Sequence, residues 1–421
     1  MKPLKTIAFL VIAALSALPA FGDLFTITAT TTDGSGISVI SGNHSLIDLS
    51  QELINNTGPF RGLSGHSYNA SLTYGGVPKA LNFAVTQSIP PASTRYVYSA
   101  RLTTPFDPGV IDRSFTSSTS QDDLYSQIKS YLKSDGASDL ARFLADIDKK
   151  SPTGVLDGNP NAATALNAQQ SFFEYAFAPT ITEDEESSGQ PIDTSHVGLA
   201  LMADGGEFSS KGVHGDTYSV APVVPFKLTD RVRLELMIPL QYTRIEGATE
   251  YGAGLQLAVP ILVVKHTKGQ PWTWQLTPMG GAIASGSPDL VAGGLMINGG
   301  LASYTSYRWH KWEFSLGDSV TIYHGLRVTI GDYTFDPNIS QEILKNGIKV
   351  GRQLGRHWYA ELYGLDTEFV SAAFIPRYAT LGGGIGYRGS KNKGFIMLGA
   401  YTDLAPGYTA AKLQFGTGWK F

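Results

Sequence analysis

The chain contains no cysteine. That excludes a disulfide framework, a thiolate metal site, a cysteine nucleophile and a lipid-bearing thiol. Charge is scarce, at 16% of the 421 residues, against roughly 25% in ordinary soluble domains. Neither sign dominates: 32 basic residues face 36 acidic ones, for a net charge of -4. No basic stripe or tail offers itself to nucleic acid. Past residue 22 no apolar run reaches the ~18 residues of a spanning helix, and mean hydropathy is only -0.04. A multi-span helical membrane protein is therefore excluded. The chain also lacks a phosphate-binding G-x-x-x-x-G-K-[ST], an H-E-x-x-H, a G-x-S-x-G and an EF-hand loop. Its eight histidines are scattered, with no two at metal-ligand spacing. His324 with Ser319, or His214 with Ser219, reads as a loop histidine beside a common serine. Asp332, Asp336 and Asn338 read as a solvated turn rather than a calcium loop. No enzyme, metal or cofactor is expected.

What is present begins with residues 1–22. Lys2 and Lys5 precede the apolar run Ile7–Leu18, and Ala20 and Gly22 are small residues at the positions a signal peptidase reads. The expected signal peptide ends before Asp23, and its two lysines without a twin-arginine pair point to the Sec translocon.

Residues 23–179 form a region of mixed grammar, expected to be a small α+β unit in the periplasm. Leu24–Thr31, Ser67–Tyr74, Ala80–Thr86 and Thr94–Leu102 are rich in Tyr, Thr, Val and Phe and read as strands. Gln121–Leu132 and Ser138–Lys149 carry apolar residues at helical spacing. A third helix is expected over Pro160–Tyr175, with Asn159 as N-cap and Pro160 at its first position. Residues 180–193, with Glu183-Asp184-Glu185-Glu186, read as an acidic linker.

Residues 194–421 change to period two. Val232, Leu234, Leu236, Ile238, Leu240 and Tyr242 alternate with Arg233, Glu235, Met237, Pro239, Gln241 and Thr243. Such an apolar face needs a cover. The runs last about 10–14 residues, longer than sandwich strands and matched to a tilted crossing of a bilayer. Twelve strands are expected: 194–204, 216–227, 231–243, 251–265, 271–284, 291–307, 311–323, 344–354, 357–369, 378–388, 393–404 and 410–421. Turns at one end are short, and Gly205–Gly215 and His324–Ile343 read as the longest loops at the other. All six tryptophans (Trp272, Trp274, Trp309, Trp312, Trp358 and Trp419) fall near the short turns or the C-terminus, as one interfacial girdle. Tyr218, Tyr242, Tyr251, Tyr323, Tyr401 and Tyr408 suggest the opposite girdle. Pro222, Pro225, Pro239 and Pro260 suggest bulges, and a bulge at Gly317-Asp318 would turn Asp318 inward.

In the last strand Leu413, Phe415, Thr417, Trp419 and Phe421 alternate with polar or small residues, and the sequence stops at Phe421. This resembles the C-terminal signature of bacterial outer-membrane β-barrel proteins over about residues 194–421. The resemblance implies an all-β antiparallel transmembrane barrel in the outer membrane, lipid as its surroundings, and assembly machinery that reads Leu413, Phe415, Trp419 and Phe421. It names no particular family.

The opposite face would line the lumen with Lys227, Arg233, Glu235, Gln241, Gln256, Asn298, Glu313, Lys349, Gln353, Glu361, Lys412 and Gln414. Mixed polar residues suit a hydrated pore or a salt-bridged plug. Inward glycines (Gly252, Gly254, Gly294, Gly384 and Gly386) leave space and favour the pore. A passive porin-like channel with a periplasmic N-terminal domain is the leading reading. An autotransporter-like export unit with 160–175 as pore helix is the alternative. An adhesive protein working through loops 205–215 and 324–343 is a third.

N-terminal sequencing of the mature protein from cells should begin at Asp23; a chain still starting at Met1 would overturn the signal reading.

Overall fold

A computed structural model of the chain describes residues 23–89, 96–105, 111–133, 137–156, 159–172, 198–266, 269–290, 292–330, 333–335, 339–355, 357–371, 373–388 and 394–420. The signal segment, the acidic linker and Phe421 lie outside the described residues.

The N-terminal unit is an antiparallel sheet of six strands in the order β2-β1-β3-β4-β5-β6. They are β1 (Phe25–Thr31), β2 (Ser38–Asn43), β3 (Tyr68–Tyr74), β4 (Val77–Ser88), β5 (Val97–Thr103) and β6 (Asp112–Ser117). The Gly75-Gly76 turn joins β3 to β4 with φ of +50° and +80°. A two-residue turn with both central residues left-handed matches strand twist, and two glycines adopt it freely. Helices α1 (Leu46–Ile54), α2 (Gln121–Lys133) and α3 (Ala137–Lys150) accompany the sheet, and Ser45 caps α1 by accepting from the Asp48 N–H. Phe25, Ile27, Tyr68, Leu72 and Leu124 close the core. The sequence reading did not include β2, β6 or α1. Each of these strands is six residues long and sits at a sheet edge, where alternation is weakest.

From residue 198 one long sheet closes on itself. Its strands are β7 (Gly198–Ser210), β8 (Val213–Lys227), β9 (Arg233–Met237), β10 (Leu240–Ile245), β11 (Ala248–Ala258), β12 (Ile261–Val264), β13 (Trp272–Ser287), β14 (Ala292–Trp309) and β15 (Trp312–Leu326). A small hairpin, β16 (Val328–Ile330) and β17 (Tyr333–Phe335), is inserted next. Then come β18 (Ser340–Gln353), β19 (Trp358–Phe369), β20 (Arg377–Arg388), β21 (Gly394–Ala405) and β22 (Tyr408–Lys420). β9 and β10 form one wall position broken at Ile238-Pro239, and β11 and β12 one broken at Val259-Pro260. The wall is thus a closed antiparallel barrel of twelve strand positions. It is sealed by β22 against β7 from Tyr408↔Ser210 to Lys420↔Gly198.

Prolines mark where ladder donors are missing. Pro222 and Pro225 are carried within β8, whereas Pro239 and Pro260 interrupt their strands. The carbonyls stay in use: Gly254 N–H donates to Pro239 O at 2.8 Å and Arg233 N–H to Pro260 O at 3.1 Å.

Three expectations are corrected. Gly205–Gly215 is not a long loop: it is strand on both sides of a two-residue turn, Lys211-Gly212, with φ of +47° and +88°. Glu246-Gly247 repeats that turn, and Pro406-Gly407 is another two-residue connection at the same end. Loop length therefore does not distinguish the barrel's ends. His324–Ile343 is largely strand as well, leaving 327–339 as the long connection. Asp318 is not turned inward, because β14, β15 and β18 pair without a register shift across it.

Two inward glycines are filled by neighbouring rings. A Cβ on Gly386 would lie 2.0 Å from the Tyr359 Cζ, and one on Gly382 would lie 2.5 Å from the Tyr363 ring. Others abut different groups: a Cβ on Gly252 would lie 3.1 Å from Gln241 Oε1, and one on Gly384 2.9 Å from Leu398 O. Gly386→Val should destabilise the refolded barrel by about 1–3 kcal/mol through overpacking, read as a lowered urea midpoint. Gly299→Val, where nothing lies within 4 Å, should leave it unchanged; equal midpoints for the two variants would contradict this packing.

Candidate functional site

The barrel interior holds a helix. α4 (Ala163–Phe172) has all ten residues buried, although its sequence ATALNAQQSF has no apolar stripe. A helix buried all round is normally hydrophobic all round. Here the surroundings are a polar lumen, so amides and hydroxyls suit it. Asn167 accepts from the Tyr323 hydroxyl at 2.8 Å, and Gln169 from Tyr378 at 3.5 Å. Ahead of the helix, Asn161 donates to the Tyr408 hydroxyl at 3.3 Å, and Gln241 donates to Asn161 O at 3.2 Å. Phe172, at the helix end, enters an aromatic cage of Tyr304, Tyr363 and Tyr401 with Leu365. Asn159 does act as a cap, but of the turn before α4: its side chain accepts from the Asn161 N–H at 2.9 Å. Residues 173–175 of the expected helix lie outside the described residues.

Tyr323, Tyr401 and Tyr408 are therefore not girdle residues; they are buried inside. Tyr218, Tyr242 and Tyr251 do face out side by side: the first two stack with centroids 6.4 Å apart, and Tyr251 is tilted against Tyr242 at 5.5 Å. Trp272, Trp274, Trp309, Trp312 and Trp358 lie on the outer face near the end where the barrel's own termini lie. The Trp419 side chain lies outside the described residues.

Beneath the cage the wall carries paired charge. Glu313 accepts from Arg308 at 3.2 Å and from the Tyr304 hydroxyl at 2.9 Å. Lys349 approaches Glu361 at 3.9 Å, and Arg233 approaches Glu235 at 3.5 Å. Beside the cage, Lys412 pairs with Asp403 at 3.5 Å, both about 1% exposed. Asp403 also accepts from Thr380 at 2.6 Å, and Asp204 from Ser219 at 2.6 Å. Gln414 accepts from the Tyr363 hydroxyl at 3.2 Å. Gln256 and Asn298 sit on the inward face too. Lys227 and Gln353 sit on inward positions at strand ends; Lys227 turns to Asp230 in the adjoining turn, at 2.8 Å, and Gln353 is exposed. Lys345 and Asp403 are buried lumen charges, and Asp204 a half-buried one, that the sequence reading did not include. All three lie on the inward parity of their strands, so strict alternation was their signal.

Ser319 and Ser219 face inward, while His324 and His214 occupy the opposite, outward parity. Neither serine–histidine pair is assembled. Asp332, Asp336 and Asn338 lie outside the described residues.

The N-terminal unit sits on the barrel end opposite residues 198 and 420. Its core runs without a break into rim residues Phe208, Ile245, Leu290, Ile343 and Phe369. The Leu46 N–H donates to Asp289 O at 3.1 Å, and the Tyr74 hydroxyl donates to Leu290 O. The chain thus runs from the capping unit, down through the lumen as α4, to a wall that begins at the far end.

No family model matches the chain, and no curated protein matches it by sequence. Among solved structures it is similar to the translocator domain of the autotransporter NalP from Neisseria meningitidis. That match has 10% identity and a TM-score of 0.43, covering 61% of this chain and 96% of that one. It is also similar to an outer-membrane channel from Pseudomonas putida F1 (12% identity, TM-score 0.41, 55% and 99% covered). A third is the transport unit of the autotransporter AIDA-I from Escherichia coli (9%, 0.34, 61% and 97%). Scores of this size speak to neither substrate nor partner. The class rests on the wall itself: an even-stranded closed antiparallel barrel with an apolar outer belt and aromatic girdles is a transmembrane β-barrel of the bacterial outer-membrane type.

Asp403→Ala removes the ion-pair partner of buried Lys412 and should cost about 3 kcal/mol. The double variant with Lys412→Ala should recover at least half of that in urea unfolding. Strictly additive losses would show that the pair is not coupled.

Proposed function

We propose that the barrel is an outer-membrane transport unit and that its cargo is its own N-terminal domain. The observation that carries this is α4, buried in the lumen between a domain on one end and a wall whose two termini lie at the other. Outer-membrane barrels with an even strand number keep both termini on the periplasmic side. On that orientation residues 23–156 lie at the cell surface, not in the periplasm, and the lumen is the route they took. The reading follows the autotransporter-like alternative raised from sequence. It requires delivery across the inner membrane by the Sec translocon, insertion by the barrel-assembly machinery, and no enzymatic activity.

A second reading is favoured by the wall. Charged and amide side chains line the lumen around and below α4, and among the described residues Gln256 and Asn298 find no protein hydrogen-bond partner for their buried amides. Such groups call for water. A hydrated lumen of this kind could conduct small solutes, with α4 as the plug of a passive channel. The adhesive reading loses one of its two loops, since 205–215 is wall.

Planar-bilayer recordings separate the readings. The intact chain should conduct little, and deletion of residues 160–175 should raise conductance at least tenfold. Steady conductance by the intact chain would favour the channel. No change on deletion would sink the claim that the helix fills the pore.

A further inference from the structure

The outer face of the wall has one flaw. Outward residues between the girdles are apolar or small almost everywhere, as in Leu234, Leu236, Ile238 and Leu240 or Ile396, Leu398 and Ala400. Asp318 breaks this pattern. It stands six residues from Trp312 at one end of β15 and six from His324 towards the other, so it lies midway up the belt. It is exposed, its register is unbroken, and among the described residues no cation lies within ion-pair distance. Directly across the ladders lie Ser303 on β14 and Asn346 on β18, the latter also exposed and outward. Other outward charges lie towards strand ends, as Glu207, Glu342 and Glu368 do, and some are paired there, as Asp216 is with Arg244 and Asp366 with Arg377. A carboxylate facing hydrocarbon is costly, and such residues normally face protein or water.

We propose that the β15–β18 face is a two-fold interface between two copies of this chain. Two barrels in one membrane share an orientation, so the axis relating them runs along the membrane normal. An axis passing between β15 and β18 sets β15 of each copy against β18 of the other. Asp318 and Asn346 are register partners and lie at nearly the same height. Asp318 therefore meets the amide of the partner's Asn346, and the same contact is made again across the axis. Self-complementarity of this kind is what an isologous interface requires. Leu316, Ile348 and Leu362, 51%, 62% and 72% exposed, flank the polar centre and would pack around it. Asn supplies the donors, so the carboxylate stays satisfied without a cation.

Sedimentation equilibrium of the full refolded chain in detergent should show a dimer. Asp318→Leu, which removes the acceptor yet suits a lipid-facing site, should weaken dimerisation at least tenfold while leaving a folded, heat-modifiable barrel. Asp318→Asn should retain the dimer through amide pairing. Because the chain has no cysteine, a mixture of Val320→Cys and Leu344→Cys chains should cross-link under oxidation far more than either alone. A wild-type chain that stays monomeric, or a D318L chain that dimerises as tightly as wild type, overturns the proposal.

Discussion

A wall of strands in hydrocarbon has no water to satisfy an open edge, so every backbone group must find its partner within the wall. The seal between β22 and β7 meets that demand, and the rest of the molecule follows from it. Once the sheet closes, each side chain is committed by parity to lipid or lumen. The outer set can then be Leu, Ile, Val and Trp, and the inner set can be polar because lipid never reaches it. Proline is tolerated only with adjustment: two prolines break their strands, and neighbouring donors take up the carbonyls beside the breaks.

The polar lumen in turn explains α4. A ten-residue helix of Ala, Thr, Asn, Gln and Ser with one Leu and a terminal Phe has no broad face for an apolar core and little stability alone in water. Inside the barrel its amides meet tyrosine hydroxyls and its terminal Phe172 meets a ring of tyrosines. Above it, the N-terminal sheet and the barrel rim share one hydrophobic core. The cap, the helix and the wall therefore stabilise one another, and the path of the chain through the pore is part of the fold rather than an ornament to it.

Much of the wall was legible as sequence, because period-two alternation over more than ten residues has few other solutions. Twelve strands are expected and twelve wall positions exist, although β7 continues to Ser210, past the expected end at 204. The turns were misjudged: Lys211-Gly212 and Glu246-Gly247 are short hairpin signals that the glycine-rich flanks obscured. Site residues split by the same logic. Glu235, Gln256 and Lys412 follow from alternation, whereas Asp204 stands at the end of the expected strand 194–204, beside the misread loop, and Lys345 at the start of the expected strand 344–354, where alternation is weakest. Tyr323, Tyr401 and Tyr408 look like girdle residues in one dimension. Only the helix that they surround shows why they turn inward, and no local pattern on the wall announces that helix. Asp318 went the other way: a rule against charge facing lipid suggested a bulge, and the unbroken ladder refutes it.

The central claim is that the chain threads its own barrel, with residues 23–156 on the side opposite the wall's termini. An epitope tag inserted after Asp33, in the exposed turn between β1 and β2, tests it directly when protease is added to intact cells. A control tag in the connection 327–339 reports that the same end of the barrel is accessible. The account predicts that both tags are removed. An Asp33 tag that survives while the control is cleaved would contradict it, and would return the N-terminal domain to the periplasm.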